Sequence, residues 1–258
     1  MTGVRNRVAL VTGAGSADGI GFATARLLLA AGAKVAITST TSRILDRQKE
    51  LGGSADTIFA QPADLTNAAE VEEIHAAVVS KLGPVDILIN NAGMVQQSRD
   101  EPLANFADMT ERSWNYGIDI NLNTAFLATR AVLPGMIERN YGRVVFMSSV
   151  TGPVAAIPGN SAYGAAKAAL VGLTRTLALE AGPHNVTVNC IGPGWIETGS
   201  SSDSEIIAGR HTPVGRPGTP DEIGHVAVFL ASQEASYLTG QLIVVDGGNT
   251  IQEYKTGG

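Results

Sequence analysis

Cysteine is almost absent from this chain of 258 residues: Cys190 is the only one, so no disulfide can form within the chain. This excludes a disulfide-bonded secreted scaffold, and we expect a cytoplasmic protein. The chain also has no run of about 18 uncharged apolar residues, so no membrane span is predicted. Strand-like sequence begins by Val8, which leaves no room for a signal peptide.

Basic residues are scarce as well: 18 lysines and arginines stand against 24 aspartates and glutamates, and the net charge is -6. Nucleic-acid binding needs a stripe of positive charge, so we expect no nucleic-acid partner. The four histidines share no metal-ligand spacing, so we expect no metal site. The chain is instead rich in apolar residues, at 44%, and in glycine, with 30 residues. This balance is typical of a globular protein with tight turns.

Short β-branched apolar runs alternate with longer segments of helical period. The runs predict seven strands, at residues 7–12, 34–38, 57–61, 86–90, 143–148, 186–191 and 241–245. The predicted helices are 19–31, 67–82, 110–140, 163–181 and 220–231. Strands that are apolar on both faces and separated by helices indicate a parallel sheet with both faces covered. We therefore predict one α/β domain over residues 1–258, a doubly wound parallel sheet of the Rossmann type with ligands at the carboxyl ends of its strands.

Two segments that follow strand ends look irregular, residues 94–109 and 199–218. Long loops inside a compact domain are usually functional or disordered. We interpret both segments as walls or lids of a substrate cleft, with plain surface loops as the alternative.

A glycine-rich turn, residues 12–21 (TGAGSADGIG), joins the first strand to the first helix. Glycines let the backbone approach a pyrophosphate, and a helix N-terminus supplies N–H donors, so this turn predicts a dinucleotide site. Ser39, Thr40 and Arg43 follow the second strand, with no acidic residue to bind a ribose 2′-hydroxyl. Charge-assisted donors suit a 2′-phosphate, which favours NADP over NAD. A polar helix cap with a surface arginine is the alternative, and Asp18 would repel a phosphate if it pointed inward.

Tyr163 and Lys167 lie four residues apart on a predicted helix and therefore share one face. An ammonium near a phenol favours the phenolate and lowers the phenol pKa from about 10, which suits a general acid/base at neutral pH. The structural alternative is a packed aromatic ring beside a solvated amine.

Several motifs in a fixed order make the chain resemble the short-chain dehydrogenase/reductase family, in its single-domain branch and over essentially its whole length. They are residues 12–21, Asp64-Leu65, Asn90-Asn91-Ala92-Gly93, Asn121, Ser148-Ser149, Tyr163-Gly164-Ala165-Ala166-Lys167, Pro193-Gly194 with Thr198, and Asp246-Gly247-Gly248.

The resemblance implies a nicotinamide-dependent oxidoreductase that moves a hydride between its cofactor and a carbonyl/alcohol pair. Tyr163 would transfer the proton, while Lys167 would lower its pKa and hold the nicotinamide ribose. Ser149 would bind the substrate oxygen, and Asn121 would hold a water in a proton relay. Trp195 would contact the substrate together with Ser149 and Tyr163.

The resemblance also implies a set of cofactor-binding residues. They are Gly13, Ser16, Gly19, Ile20, Gly21, Ser39, Thr40, Arg43, Asp64, Leu65, Asn91, Ala92, Gly93, Tyr163, Lys167, Pro193, Gly194, Ile196 and Thr198. Among them, Asp64 and Leu65 would contact the adenine, and Thr198 would hold the carboxamide. The chain departs from the family pattern in three ways. The glycine turn is two residues longer than usual, and the stretch from Ser149 to Tyr163 is one residue longer. Segment 94–109 is longer than in many relatives, while 199–212 is rather short.

The leading functional hypothesis is a 3-oxoacyl-thioester or small carbonyl reductase. A sugar/polyol or steroid dehydrogenase of the same family is the alternative, and a non-catalytic NADP-binding sensor or scaffold is the alternative from another class. An enoyl reductase usually spaces its tyrosine and lysine more widely. The Tyr163 helix carries a face of small residues, Gly164, Ala165, Ala168, Ala169 and Gly172. Because the family commonly pairs this helix across a two-fold axis, we expect a homotetramer, with a dimer as the alternative.

Overall fold

The computed structural model describes residues 3–93 and 104–253. Its seven strands are β1 Val8–Val11, β2 Lys34–Ser39, β3 Ile58–Pro62, β4 Ile87–Asn90, β5 Gly142–Met147, β6 Val186–Pro193 and β7 Leu242–Val245. They pair in parallel throughout, in the order β3-β2-β1-β4-β5-β6-β7. The predicted doubly wound parallel sheet is therefore confirmed, and each predicted strand overlaps an observed one.

Within residues 3–93 and 104–253, eight α-helices connect the strands. They are α1 Ile20–Ala30, α2 Ile44–Leu51, α3 Ala68–Leu82, α4 Glu111–Ile118, α5 Thr124–Glu138, α6 Ser161–Ala181, α7 Asp203–Arg210 and α8 Pro220–Ala231. Helices α1, α2 and α8 contribute to one apolar core, and α3, α5 and α6 contribute to the other. None of the helices in the described part of the chain has both the length and the apolar character that a membrane crossing needs.

The two cores lie on opposite faces of the sheet because successive strand residues point to opposite sides. In β5, Val144 and Phe146 belong to the core with α5 and α6, whereas Val145 and Met147 belong to the core with α8. All six residues of β5 are buried. This double coverage explains why the strands read as continuous apolar runs.

The structure corrects three expectations about local structure. The predicted helix 110–140 is divided into α4 and α5 by a π-helical turn, Asp119–Asn123. Helix α2 was not predicted. Segment 199–218 is not irregular throughout, because it contains α7, which begins with a reciprocal capping box between Ser202 and Glu205. Of segment 94–109, residues 94–103 lie outside the described residues, and Phe106–Asp108 form a short 3-10 helix.

The strand order determines where a ligand site can form. The chain proceeds from β1 to β2 and β3 on one side, then crosses to β4 on the other side of β1. The connections at β1 and β4 therefore diverge and leave a crevice at their carboxyl ends, which is the usual ligand site of an open parallel sheet.

Candidate active site

The ends of β1 and β4 are joined by hydrogen bonds around Thr12. Its Oγ1 accepts from the backbone N–H groups of Asn91 and Ala92, both at 3.0 Å. The Asn91 side chain donates in return to the carbonyl oxygens of Thr12 and Gly13, at 3.1 and 3.0 Å. The first residues of the glycine turn are thus held directly against the Asn91-Ala92-Gly93 segment.

Glycine is required where this contact is closest. Gly13 has φ +67°, and a Cβ on it would stand 2.7 Å from the Ala92 Cα atom. A Cβ on Gly21 would stand 2.5 Å from Asn91 Nδ2. Both distances are too short for any side chain, so these glycines let the turn approach the end of β4.

The start of α1 fits a pyrophosphate. Gly19 is its N-cap residue and supplies no side-chain cap, and the first turn holds no acidic residue. By contrast, α8 is capped by Thr219 and Glu222. An α-helix begins with four N–H groups that lack an intrahelical partner, and these, together with the helix dipole, favour a bound anion.

Ser39 and Arg43 lie together beside the glycine turn. A Cβ built on Gly15 would come within 2.8 Å of the Arg43 Nε atom and of Ser39 Oγ. Ser39 is buried, whereas Thr40 and Arg43 are exposed. A guanidinium and a buried hydroxyl therefore lie together at the end of β2.

Asp18 faces away from this pair. Its Oδ2 atom would stand 3.2 Å from a Cβ built on Gly199, in the segment that follows β6. The two residues border a cleft of about 600 Å³ between the starts of α1 and α8, which Thr198 also lines. The lengthened glycine turn thus places its carboxylate next to the segment after β6 and not next to Arg43.

The two residues predicted to contact the adenine, Asp64 and Leu65, lie just after β3. Asp64 Oδ1 accepts from both the backbone N–H and the hydroxyl of Thr66, at 2.9 and 2.7 Å. The Asp64 backbone N–H donates to Glu70 at 2.8 Å. Leu65 is buried at 5% exposure and belongs to the core with α3. Asp64 thus shapes the entry to α3, and Leu65 packs beneath it.

Ser149, Tyr163 and Lys167 come together at the carboxyl end of β5. The Ser149 hydroxyl lies close enough to the Tyr163 side chain to lower the pKa of its phenol. Lys167 Nζ lies 5.5 Å from the centre of the Tyr163 ring and donates to the Met147 carbonyl oxygen at 2.9 Å. Lys167 is only 3% exposed. The arrangement is a phenol with a hydroxyl partner on one side and a buried ammonium near its ring.

Asn121 lies in the π-helical turn, and its side-chain amide donates to the Gly117 carbonyl at 3.0 Å. A Cβ built on Gly93 would stand 2.7 Å from Asn121 Oδ1 and 3.2 Å from Lys167 Nζ. Asn121, Lys167 and the end of β4 therefore meet at Gly93. π-Helical turns are rare and frequently occur at functional sites.

Burial determines the electrostatics of this group. It raises the pKa of Tyr163, and the hydrogen bond from Ser149 opposes that increase only in part. Burial also lowers the pKa of Lys167 to about 8. The expected lowering of the Tyr163 pKa by Lys167 was therefore wrong for this structure. Burial destabilises the phenolate by more than the neighbouring groups stabilise it.

Five further predicted residues lie at the end of β6 or just after it. The Pro193 carbonyl accepts from Val150 N–H at 3.0 Å, and a Cβ on Gly194 would stand 2.6 Å from Asp246 Cβ. Ile196 forms a β-bridge with Gly218, and Thr198 Oγ1 is hydrogen-bonded to Ser200 and Ser201. Trp195 is partly buried in the same segment.

Two groups in contact with Lys167 were not predicted. One is the Met147 carbonyl, and the other is Ser148, which is buried and donates its hydroxyl to the Lys167 carbonyl at 2.7 Å. A carbonyl carries no sequence signal. The adjacent serine pair 148–149 was visible, and Ser149 was assigned beside Tyr163, but no contact of Ser148 with α6 was predicted.

A family model described as enoyl-(acyl carrier protein) reductase matches residues 13–250. Among similar proteins, the oxidoreductase UcpA of Salmonella typhimurium is 40% identical over 259 residues, which cover 96% of this chain and 95% of the relative. The 3-oxoacyl-[acyl-carrier-protein] reductase FabG of Thermotoga maritima is 38% identical, covering 96% of this chain and 99% of that protein.

A solved structure supports the same likeness at the level of the fold. A putative gluconate dehydrogenase from Agrobacterium tumefaciens superimposes with a TM-score of 0.87 and 32% sequence identity, covering 96% of this chain and 98% of that one. The human protein named dehydrogenase/reductase SDR family member 4 is 37% identical, covering 94% of this chain and 87% of its own length.

The buried Lys167 makes stability depend on pH in a defined direction. Its pKa is about 8 in the folded chain, against an ordinary 10.5. Between these values the unfolded chain binds more protons than the folded one, so rising pH stabilises the fold. As the pH rises from about 8 to 10.5, the free energy of unfolding of the wild type should increase by up to roughly 3 kcal/mol relative to that of Lys167→Met.

Guanidinium denaturation of both proteins at the two pH values measures this difference. Lys49→Met is the matched control, because the Lys49 side chain is 78% exposed and pairs only with Asp46 on its own helix. A Lys167→Met difference that stays constant with pH, as expected for Lys49→Met, would show that the folded chain does not depress the Lys167 pKa.

Proposed function

Because the chain belongs to the short-chain dehydrogenase/reductase family and is a nicotinamide-dependent oxidoreductase acting on CH–OH groups, we propose that it reduces ketones and 3-oxoacyl thioesters. The observation that carries the proposal is the contact among Ser149, Tyr163 and Lys167 at the end of β5. FabG of Thermotoga maritima, named as a 3-oxoacyl-[acyl-carrier-protein] reductase, favours this substrate class.

In the proposed reaction Tyr163 is the general acid. Burial keeps its phenol protonated, which is the form that carbonyl reduction requires. Ser149 and Tyr163 donate to the carbonyl oxygen, and Tyr163 then transfers its proton to that oxygen. Lys167 Nζ lies 5.5 Å from the centre of the ring, and its ammonium would offset part of the charge left on the phenolate, less than burial opposes it. The bound cofactor supplies the hydride.

The proposed cofactor is NADP. The uncapped start of α1 and the glycine turn would hold its pyrophosphate, and Ser39 and Arg43 would hold the 2′-phosphate. Lys167 would bind the nicotinamide ribose, and Thr198 would bind the carboxamide. We assign Asn121 to a water-mediated proton path from Lys167, and Trp195 to a substrate contact.

A sugar or polyol dehydrogenase is the second candidate. The structural likeness to a protein described as a putative gluconate dehydrogenase favours it. Both candidates use the same acid and the same cofactor site, so the substrate alone separates them. Enoyl reduction is named in the description of the matching family model, and an enoyl thioester therefore belongs in any substrate panel.

Tyr163→Phe should lower turnover by about 10² to 10⁴-fold, the range attributed to a general acid, while NADPH binding stays the same. Oxidation of NADPH would be followed by absorbance with 3-oxoacyl thioesters, small ketones, keto-sugars, steroids and an enoyl thioester. Tyr237→Phe is the control, because Tyr237 is fully exposed. Full turnover by Tyr163→Phe would show that another group supplies the proton. If the wild type bound NADPH but reduced none of these substrates, the result would favour a non-catalytic NADP-binding sensor.

Arg43→Ala should raise the KM for NADPH by roughly 10- to 100-fold, because a hydrogen bond to a charged group is lost. The KM for NADH should change little, since NADH lacks the 2′-phosphate. Arg47→Ala is the matched control, because Arg47 lies one turn further along α2 and pairs with Glu50. Equal loss with both cofactors, or a wild type that prefers NADH, would contradict the NADP assignment.

We also propose a cytoplasmic homotetramer. Ala165, Ala169 and Gly172 are exposed along one face of α6, and Leu179 on the same helix is 81% exposed. Small side chains permit close packing of two helices, and closed symmetric assemblies are the usual outcome.

Light scattering at micromolar concentration should therefore give about four times the chain mass of 26.7 kDa. Ala169→Arg should reduce that mass because it places a long charged side chain in the α6 face. Ala76→Arg, at an exposed position on α3, should leave the mass intact. A monomeric wild type would overturn the assembly.

A further inference from the structure

The distance between Ser149 and Tyr163 has to be set in spite of a long and mostly exposed connection between them. We propose that Gly152 is a positioning residue, and that its backbone contact with Gly164 fixes this distance independently of the length of the loop. The inference rests on the proposed function, because it concerns the pair that would donate to the carbonyl oxygen.

Residues 149–155 form a turn that is folded back on itself. Ser149 Oγ accepts from Thr151 N–H at 3.0 Å, which orients the hydroxyl. Gly152 N–H donates to the Ala155 carbonyl at 2.8 Å, and Ala155 N–H donates to the Val150 carbonyl at 2.8 Å. Thr151 and Ala155 also form a β-bridge. The orientation of Ser149 is thus part of a locally closed unit.

This turn is held from two sides. On one side, Val150 N–H donates to the Pro193 carbonyl at the end of β6, at 3.0 Å. On the other side, Gly152 lies against the backbone of Gly164, the residue after Tyr163. A Cβ on Gly152 would stand 2.2 Å from the Gly164 carbonyl oxygen and 2.9 Å from its carbonyl carbon. The peptide that carries Tyr163 and the turn that carries Ser149 therefore meet backbone to backbone.

The contact is asymmetric, which makes it testable. Gly152 has φ +109°, and any side chain there would collide with rigid helix backbone. Gly164 has no such restriction: its own Cβ would lie 3.7 Å from Gly152 Cα, an ordinary van der Waals distance. Gly164 N–H also donates to the Asn160 carbonyl at 2.8 Å, within the first turn of α6, so this backbone has little freedom to retreat.

Beyond this turn the connection is exposed. Residues 156–158 are all exposed, and loop length at an exposed site has a small energetic effect. This explains how the chain accommodates one residue more than its family usually has between Ser149 and Tyr163. On this proposal an added residue is accommodated in the exposed part of the loop, and the contact between the two glycines keeps the pair in place.

Gly152→Ala should lower kcat by about 10²-fold, the loss that a displacement of roughly 1 Å causes in a reacting group. The Kd for NADPH should stay within the range of the wild type, because the residues proposed for its pyrophosphate and 2′-phosphate lie on other segments. Gly52→Ala is the matched control: Gly52 also has positive φ, at +59°, but nothing lies within 4 Å of its added Cβ. Gly164→Ala should lose less activity than Gly152→Ala.

A second measurement needs no substrate and so separates this inference from the proposed function. The hydrogen bond from Ser149 lowers the Tyr163 pKa, so its loss in Gly152→Ala should raise that pKa further. Ultraviolet titration of the phenolate, with Tyr163→Phe subtracted, reports this value. An unchanged Tyr163 pKa together with a kcat equal to that of Gly52→Ala would overturn the proposal, whatever substrate the enzyme takes.

Insertion of one glycine between Ala156 and Ile157 tests the same idea without touching the contact, and it remains informative if Gly152→Ala does not fold. Because loop length does not set the distance, kcat should stay within roughly threefold of the wild type. A loss as large as that expected for Gly152→Ala would show that the length of the connection sets the distance.

Discussion

The buried ammonium of Lys167 is the constraint around which the rest of the site is built. Removing an uncompensated charge from water is unfavourable. Two contacts of the Lys167 ammonium offset part of this penalty, the Met147 carbonyl at 2.9 Å and the Tyr163 ring. Strand β5 and helix α6, which position Lys167, are also bonded to each other, because Ser148 just after β5 donates to the Lys167 carbonyl. The strand end and the helix thus fix the position of one amine, and the phenol lies beside it as a consequence.

Close backbone contacts determine the shape of the crevice around this charge. Gly13 and Gly21 bring the glycine turn against β4, and Gly93 leaves room for Asn121 and Lys167. Gly152 does the same for the turn that carries Ser149. At each of these points the absence of a side chain lets two backbone segments approach, and the polar side chains of the site take their positions from those segments. The high glycine content of the chain is therefore partly a property of the site.

The pKa values of Tyr163 and Lys167 are shifted more by burial than by the interaction between the two groups. Burial opposes charge on both groups, so it raises the Tyr163 pKa and lowers the Lys167 pKa. The acid is kept protonated, and the amine is kept close to its titration range. Spacing along a helix indicates that two residues are neighbours, but it carries no information on how far the helix lies from water, and this is why the expected direction of the Tyr163 shift was wrong.

The sequence by itself determined the architecture of the sheet and which residues belong to the candidate site. Apolar runs and helical periods predicted all seven parallel strands, because a sheet covered on both faces needs strands that are apolar on both sides. It did not reveal α2, in which Ile44 is the only buried residue, and α7 was missed although its capping residues Ser202 and Glu205 were visible. Tertiary structure alone decided how the site residues meet: that Ser148 donates to the Lys167 carbonyl, that Asn121 sits in a π-helical turn, and that Asp18 faces Gly199. These depend on backbone contacts between segments distant in the chain, for which a single sequence carries no local signal.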